Sequence, residues 1–284
     1  MITGISRLTE RVAGGGVLVL SGAGLSTESG IPDYRGPTGR ARAATPMTYQ
    51  EFVGSAAARQ RYWARSHTGW RTIMRAQPNA GHRAVADLQG AGLLVGVITQ
   101  NVDGLHQAAG AREVIELHGG LDRVLCLDCG QRMTRAEVDR RLRQANPDVG
   151  RAAAVAESIK PDGDVALGQD EIAGFVVVDC PKCGTGILKP DVVFFGENVP
   201  TARVSSCYDL LEGSRLLLVL GSSLAVASGF RFVRRAVMLG TPVAIVNQGP
   251  TRGDPLAELR LDAPLGVVLP ALLAQAGGRG LGGG

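Results

Sequence analysis

The stretch GVLVLSGAGLST, residues 16–27, decides the fold. Its first five residues are near-continuously apolar rather than alternating, the pattern of a parallel strand covered on both faces. Three more runs share that character: LLVGVIT (93–99), LLLVL (216–220) and PVAIVN (242–247). Helical patterns lie between them, NAGHRAVADLQGAG before the second run and SGFRFVRRAVMLG before the fourth. Alternating strands and helices predict an open α/β, Rossmann-like parallel sheet. Such sheets bind ligands beyond the carboxyl ends of their strands, which here read SGAGLST, QNVDG, GSSLAV and NQGP. All four ends are small and polar, suited to a nucleotide.

The first of these ends carries Gly22, Ala23 and Gly24, then Ser26 and Thr27. Glycines there let the backbone approach a pyrophosphate at a helix N-terminus, where unpaired N–H groups favour an anion. The loop departs from the dehydrogenase fingerprint, because Thr27 stands at the third glycine position and no acid ends an obvious second strand. Further on, Asp33 and Arg35 set a carboxylate and a guanidinium beyond the cradle, or form a loop ion pair. Gln100, Asn101 and Asp103 follow the second run and can hydrogen-bond ribose hydroxyls or a carboxamide. His118, in ELHGG, is the best general-base candidate of the four histidines, since imidazole exchanges protons near neutral pH. A satisfied histidine at a strand end is the plainer reading.

Two Cys-x-x-Cys pairs, Cys126/Cys129 in CLDCG and Cys180/Cys183 in CPKCG, supply four thiolates for one tetrahedral Zn²⁺. A closed shell leaves no open position, so the predicted zinc is structural. Cys207, in VSSCYDLL, is expected to be a small core residue.

The chain has 284 residues, enough for one large domain and a smaller insert. Its 30 basic and 26 acidic residues are dispersed, which disfavours a zinc-dependent nucleic-acid-binding module, the non-enzyme alternative. The longest apolar runs are strand-sized, and the first residues carry neither a secretory nor a transit pattern, so a cytoplasmic location is expected. The partition reads as a Rossmann-like domain over 1–35, 79–120 and 190–275, a helical insert over 36–78 and a zinc-binding module over 121–189. The glycine-rich residues 276–284 are expected to form a disordered tail.

Together GAGLSTESGIPDYRG, TQNVDGLH, ELHGGLDRVLCLDCG, CPKCG, LKPDVVFFGE, GSSLAV and VNQGPTR resemble the sirtuins, in order, over about residues 13–268. RQRYWAR, LDRVLCLDCG and PDGDV look most like the mitochondrial class II branch. The resemblance implies NAD-dependent removal of an acyl group from protein lysine, yielding nicotinamide, free lysine and 2′-O-acyl-ADP-ribose. By the same resemblance Gly22, Ala23, Gly24, Ser26 and Thr27 cradle the phosphates, and Asp33, Tyr34 and Arg35 belong to a mobile cofactor loop. Gln100, Asn101 and Asp103 surround the nicotinamide and its ribose, while Gly221, Ser222, Ser223 and Asn247 hold the adenosine half. His118 deprotonates a ribose hydroxyl.

The apolar stretch Val192, Val193, Phe194, Phe195 and Gly196 is read as an extended strand to which an acylated-lysine peptide adds, though a core strand has the same composition. Tyr62 and Arg65 lie one helical turn apart and in the acidic-acyl branch of the family that spacing binds a substrate carboxylate; a core tyrosine beside a solvated arginine fits equally. An ADP-ribosyltransferase using the same NAD site stays open as an alternative activity.

Overall fold

The computed structural model describes residues 4–34, 46–147, 149 and 167–277. Its main layer is a six-stranded parallel sheet: β1 (Val17–Ser21), β2 (Leu94–Thr99), β3 (Val114–Glu116), β7 (Leu216–Leu220), β8 (Val243–Val246) and β9 (Leu259–Leu261). The spatial order is β3-β2-β1-β7-β8-β9, so connections run outward in both directions from the β1/β7 boundary. Such a reversal opens a crevice at the strands' carboxyl ends.

The continuous apolar runs behave as their pattern requires. Val17 and Val19 of β1 pack into one core while Leu18 and Leu20 pack into another, and all four are fully buried. Leu216, Leu218 and Leu220 of β7 share the first core, and Leu217 and Val219 the second. Helices α1 (Ile5–Ala13), α4 (Ala80–Gly90) and α10 (Leu265–Gly277) cover the first face. Helices α8 (Thr201–Glu212) and α9 (Ala227–Leu239) cover the second, where Cys207 is buried as expected.

A smaller unit combines helices α2 (Tyr49–Gly54) and α3 (Ala56–Arg75) with an antiparallel sheet, β4 (Gly119–Cys126), β5 (Arg132–Thr134) and β6 (Leu188–Val192). Ser55 and Thr48 cap the two helices, Thr48 in a reciprocal box with Glu51. The helical stretch and the cysteine-bearing stretch share one core, in which Phe52, Tyr62 and Trp63 meet Val124, Phe175 and Leu188. The Trp63 indole donates to the Leu188 carbonyl at 3.1 Å, tying α3 to β6. The expected helical insert and zinc module therefore pack as a single body.

Four expectations change. The boundaries at 120/121 and 189/190 fall inside β4 and β6, because Gly119 pairs with Val192 and carries the small sheet to the edge of His118. The strand expected over 192–196 is displaced: β6 ends at Val192, and of the next residues Phe195 forms an isolated bridge with Thr48. Two three-residue 3₁₀ turns, Ala23–Leu25 and Thr27–Ser29, follow β1 where a helix N-terminus was expected. Helix α10 runs to Gly277, two residues into the expected tail; residues 278–284 lie outside the described ones, as does most of the polar loop from NPDVG through PDGD. No helix among the described residues is long and apolar enough to cross a membrane.

Candidate active site

The crevice at the β1/β7 boundary is a cavity of about 1330 Å³, bounded on its other side by the smaller unit. Its floor depends on glycines for a reason the sequence alone does not give. The β1 and β7 loops touch: the Gly24 N–H donates to the Gly221 carbonyl at 2.8 Å. A Cβ on Gly24 would lie 2.9 Å from that same oxygen, and Gly221, at φ +62°, would set its own Cβ 2.5 Å from the Leu25 nitrogen. These glycines first allow two strand ends to meet, and the cradle results from that contact.

Every residue expected to bind cofactor or substrate lines the cavity except Thr27, Arg35 and Arg65. Thr27 turns its hydroxyl back to the Gly24 carbonyl at 3.0 Å and braces the loop from behind. Arg35 lies outside the described residues. Tyr62 reaches the cavity from α3, whereas Arg65 does not line it, and the Arg65 Nε is buried without a hydrogen-bond partner among the described residues.

The polar residues at the strand ends form one network. Gln100 Nε2 donates to Ser222 Oγ at 2.9 Å, bridging β2 to β7, and Asn101 Nδ2 donates to Ser26 Oγ at 3.0 Å. Ser26 in turn donates to the Asp103 carboxylate at 2.7 Å. Burial raises the Asp103 pKa above the ordinary carboxylate value against the pull of the Leu105 N–H and the Ser26 hydroxyl, which both donate to it. Asn247 Nδ2 donates to the Gln248 and Gly249 carbonyls, each at 3.0 Å, shaping the loop after β8.

His118 stands between β3 and β4 with both ring nitrogens engaged. Nδ1 lies 2.9 Å from the Gln100 carbonyl oxygen, which has no proton to give, so Nδ1 carries the hydrogen of the neutral ring. Nε2 is then the acceptor, 2.8 Å from Ser228 Oγ. Burial lowers the pKa of the ring below 6.5, and Arg203 and Arg231 add repulsion. A buried imidazole of fixed tautomer, whose Nε2 lone pair is held by a serine hydroxyl beside a cavity, is equipped to act as a general base.

Opposite the base, the Val193 N–H donates to the His118 carbonyl at 2.8 Å, and the Tyr49 N–H donates to the Phe195 carbonyl at 2.9 Å. Residues 193–196 are thus strung between the base and α2. Glu197 fastens them from below, accepting from the Phe194 N–H at 2.8 Å and from buried Lys189 Nζ at 2.9 Å.

Ser228, Arg231 and Asp262 also line the cavity, and the sequence reading missed them. Asp262 follows β9, a strand of three residues with too short a pattern to declare itself. Ser228 and Arg231 are spaced i, i+3 at the start of α9, a spacing visible in SGFRFVRR but without meaning until α9 is set against His118.

The four cysteines converge as expected. Cys126 and Cys183 sulfurs are 3.8 Å apart, Cys129 and Cys180 sulfurs 3.7 Å, and all four lie within 4.8 Å of one another. Sulfurs bound tetrahedrally at 2.3 Å stand about 3.8 Å apart, so this set fits one zinc ion. The Cβ that Gly186 lacks would fall 2.4 Å from the Cys126 sulfur, so only glycine closes the cage.

A family model described as the Sir2 family matches residues 22–228. The chain belongs to the Sir2 family. This Sir2 chain is 58% identical over 275 residues to NAD-dependent protein deacetylase 1 of Streptomyces coelicolor, covering 97% of the chain and 91% of that protein. It is 51% identical over 270 residues to NAD-dependent protein deacetylase 1 of Mycobacterium avium, covering 94% of each. Among solved structures, a Sir2–p53 peptide–NAD+ complex aligns with a TM-score of 0.77 at 29% identity, over 96% of this Sir2 chain and 98% of the other. A Sir2 bound to acetylated peptide aligns with a TM-score of 0.75 at 27% identity, over 96% and 98%.

Proposed function

We propose that this Sir2 protein is an NAD-dependent protein lysine deacylase in which His118 is the general base and a structural zinc holds the smaller unit together. The observation that carries the reading is the setting of His118: Nδ1 held by the Gln100 carbonyl and Nε2 by Ser228, beside the cavity at the sheet's reversal point. The names of the relatives, NAD-dependent protein deacetylases, support the reaction class.

The residues present fit the dinucleotide. The cavity is large enough for it together with an acyl-lysine side chain, and its two halves carry different chemistry. The β1/β7 glycine contact, with Ser222, Ser223 and Asn247, offers backbone and small polar groups. Gln100, Asn101 and Asp103 gather on the side of His118. When bound, NAD supplies a ribose carbon that accepts the acyl oxygen as nicotinamide leaves. The chain's part is to hold the reactants and to take one hydroxyl proton at His118 Nε2. Residues 193–196 offer backbone groups to an extended peptide, and Phe194 and Tyr62 give its acylated lysine an apolar approach.

An acetyl or similarly small neutral acyl group is the substrate these walls favour. The carboxylate clamp expected of Tyr62 and Arg65 has only Tyr62 on the lining. Affinity to the class II branch rests on three short sequence blocks, and the bacterial relatives lend it no support. Free cysteines, four of them gathered for a metal, support a cytoplasmic location.

The test is one peptide bearing acetyl-, succinyl- or glutaryl-lysine, incubated with NAD and followed by mass spectrometry. Expected products are deacetylated peptide, nicotinamide and O-acetyl-ADP-ribose in equal amounts, with acetyl preferred. A stable ADP-ribose adduct on protein would point to the transferase, and turnover without NAD would end the reading.

A further inference from the structure

The partner of His118 Nε2 is the hydroxyl of Ser228, at the start of α9. We propose that Ser228 is a positioning residue for His118, aiming its basic nitrogen into the cavity and following it through the change of protonation state. The inference rests on His118 being the base.

Three contacts make one clamp. Gly229 lets the start of α9 lie against β2, since a Cβ there would fall 2.4 Å from Gln100 Oε1. The Gln100 carbonyl takes the Nδ1 hydrogen at 2.9 Å. Ser228, the residue before Gly229, then donates its hydroxyl proton to Nε2 at 2.8 Å. With one nitrogen held from β2 and the other from α9, the ring cannot rotate about its χ2 without losing a bond. Ser228 itself lines the cavity, so its hydroxyl sits where the substrate's proton must arrive.

A hydroxyl suits this place because it both donates and accepts. It donates to the neutral ring. For Nε2 to take the substrate's proton, the Ser228 hydroxyl turns its hydrogen off the nitrogen's single lone pair; once the ring is protonated, the same serine oxygen accepts from the new Nε2–H. Neither a carbonyl nor a lysine could serve both states. Arg231, one helical turn further along α9 and on the same lining, opposes ring protonation by charge. The start of α9 thus shares in orienting the base and, through Arg231, adds to the burial and the Arg203 charge that oppose its protonation.

The test uses Ser228→Ala and Ser228→Thr in the full chain, with two readouts. Nitrogen-15 NMR of the His118 ring without cofactor should show the Nδ1–H tautomer in all three proteins. The Nε2 resonance should move to its unbonded position in the alanine variant alone. Deacetylation should fall roughly ten- to hundredfold in S228A and recover in S228T, while labelled-nicotinamide exchange, which precedes the base step, persists. An unchanged Nε2 resonance in S228A, or wild-type deacetylation by that variant, overturns the proposal. Exchange falling in step with deacetylation also overturns it, because the serine would then serve cofactor binding. If S228A shifts the resonance while the wild type shows no NAD-dependent chemistry, the deacylase reading is refuted and the clamp stands.

Discussion

A single imidazole between two fixed acceptor and donor atoms concentrates the chemistry of this chain. If His118 is the base, as proposed, deacetylation by His118→Tyr should fall by about 10²- to 10⁴-fold, while circular dichroism and metal content stay unchanged. Burial holds the His118 pKa below that of a free imidazole, so the ring needs more acidic solution to protonate than an exposed histidine does. The acidic limb of kcat/KM should therefore lie below pH 6.5. A limb above that value would mean that another group, or a charged ring, governs the step. Of the site, His118, the glycines and the four cysteines were legible in sequence because each has a chemistry that few other residue types supply. Ser228 was not: a serine beside a glycine carries no signal until its neighbour across the cavity is known.

Among the elements, the contact between the β1 and β7 loops is the most sensitive. The neighbours that an added Cβ at Gly24 would meet are backbone atoms of Gly221 at 2.9 and 3.0 Å, which cannot swing aside as a flexible side chain could. Gly24→Ala should cost about 1–3 kcal/mol, the usual penalty of overpacking. It should also erase the rise in melting temperature that NAD gives the wild type, measured by thermal shift with and without cofactor. The four central apolar strands of the parallel sheet, β1, β2, β7 and β8, were readable because burial on both faces leaves their runs almost wholly apolar. The short strands β3 and β9 were missed, since three residues cannot display a period. The apolar run Val192–Phe195 misled for a related reason: its side chains are apolar because they face a cavity and the small core, although three of the four lie beyond the end of β6.

At the scale of the whole molecule, two buried histidines and one metal site set the limits of stability. His82 on α4 and His106, in the short helix α5 (Leu105–Ala108), meet edge to face at 5.2 Å behind the carboxyl ends of β1 and β2. His106 Nε2 lies 2.8 Å from Ser21 Oγ, and burial brings the pKa of His82 down to about 4 and that of His106 down to about 3. Both folded-state values lie below the ordinary 6.5, so the unfolded chain takes up protons first as pH falls. The stability these neutral rings confer is complete above pH 6.5 and is lost as pH drops through 6.5 toward 4 and then 3. The loss should be on the order of a few kcal/mol, seen as a falling urea midpoint between pH 7 and 4.5, and His82→Gln should flatten that fall. Metal removal acts on the other body. The cysteine cage shares its core with α2 and α3, so a chelator should melt the smaller unit and abolish peptide deacetylation in proportion to metal lost. Retained turnover in the metal-free protein would refute a structural role for the site.

By itself the sequence determined the parallel sheet, the place of its ligand crevice and the four thiols of the candidate metal site, because hydrophobic period and ligand type are local properties written residue by residue. Only the tertiary structure decided that Gly24 and Gly221 exist for each other, that the helical and cysteine-bearing stretches share one core, and that Ser228 holds His118. Each of these joins residues distant in the chain, and an interatomic distance across a fold is set by packing rather than by any pattern along the chain.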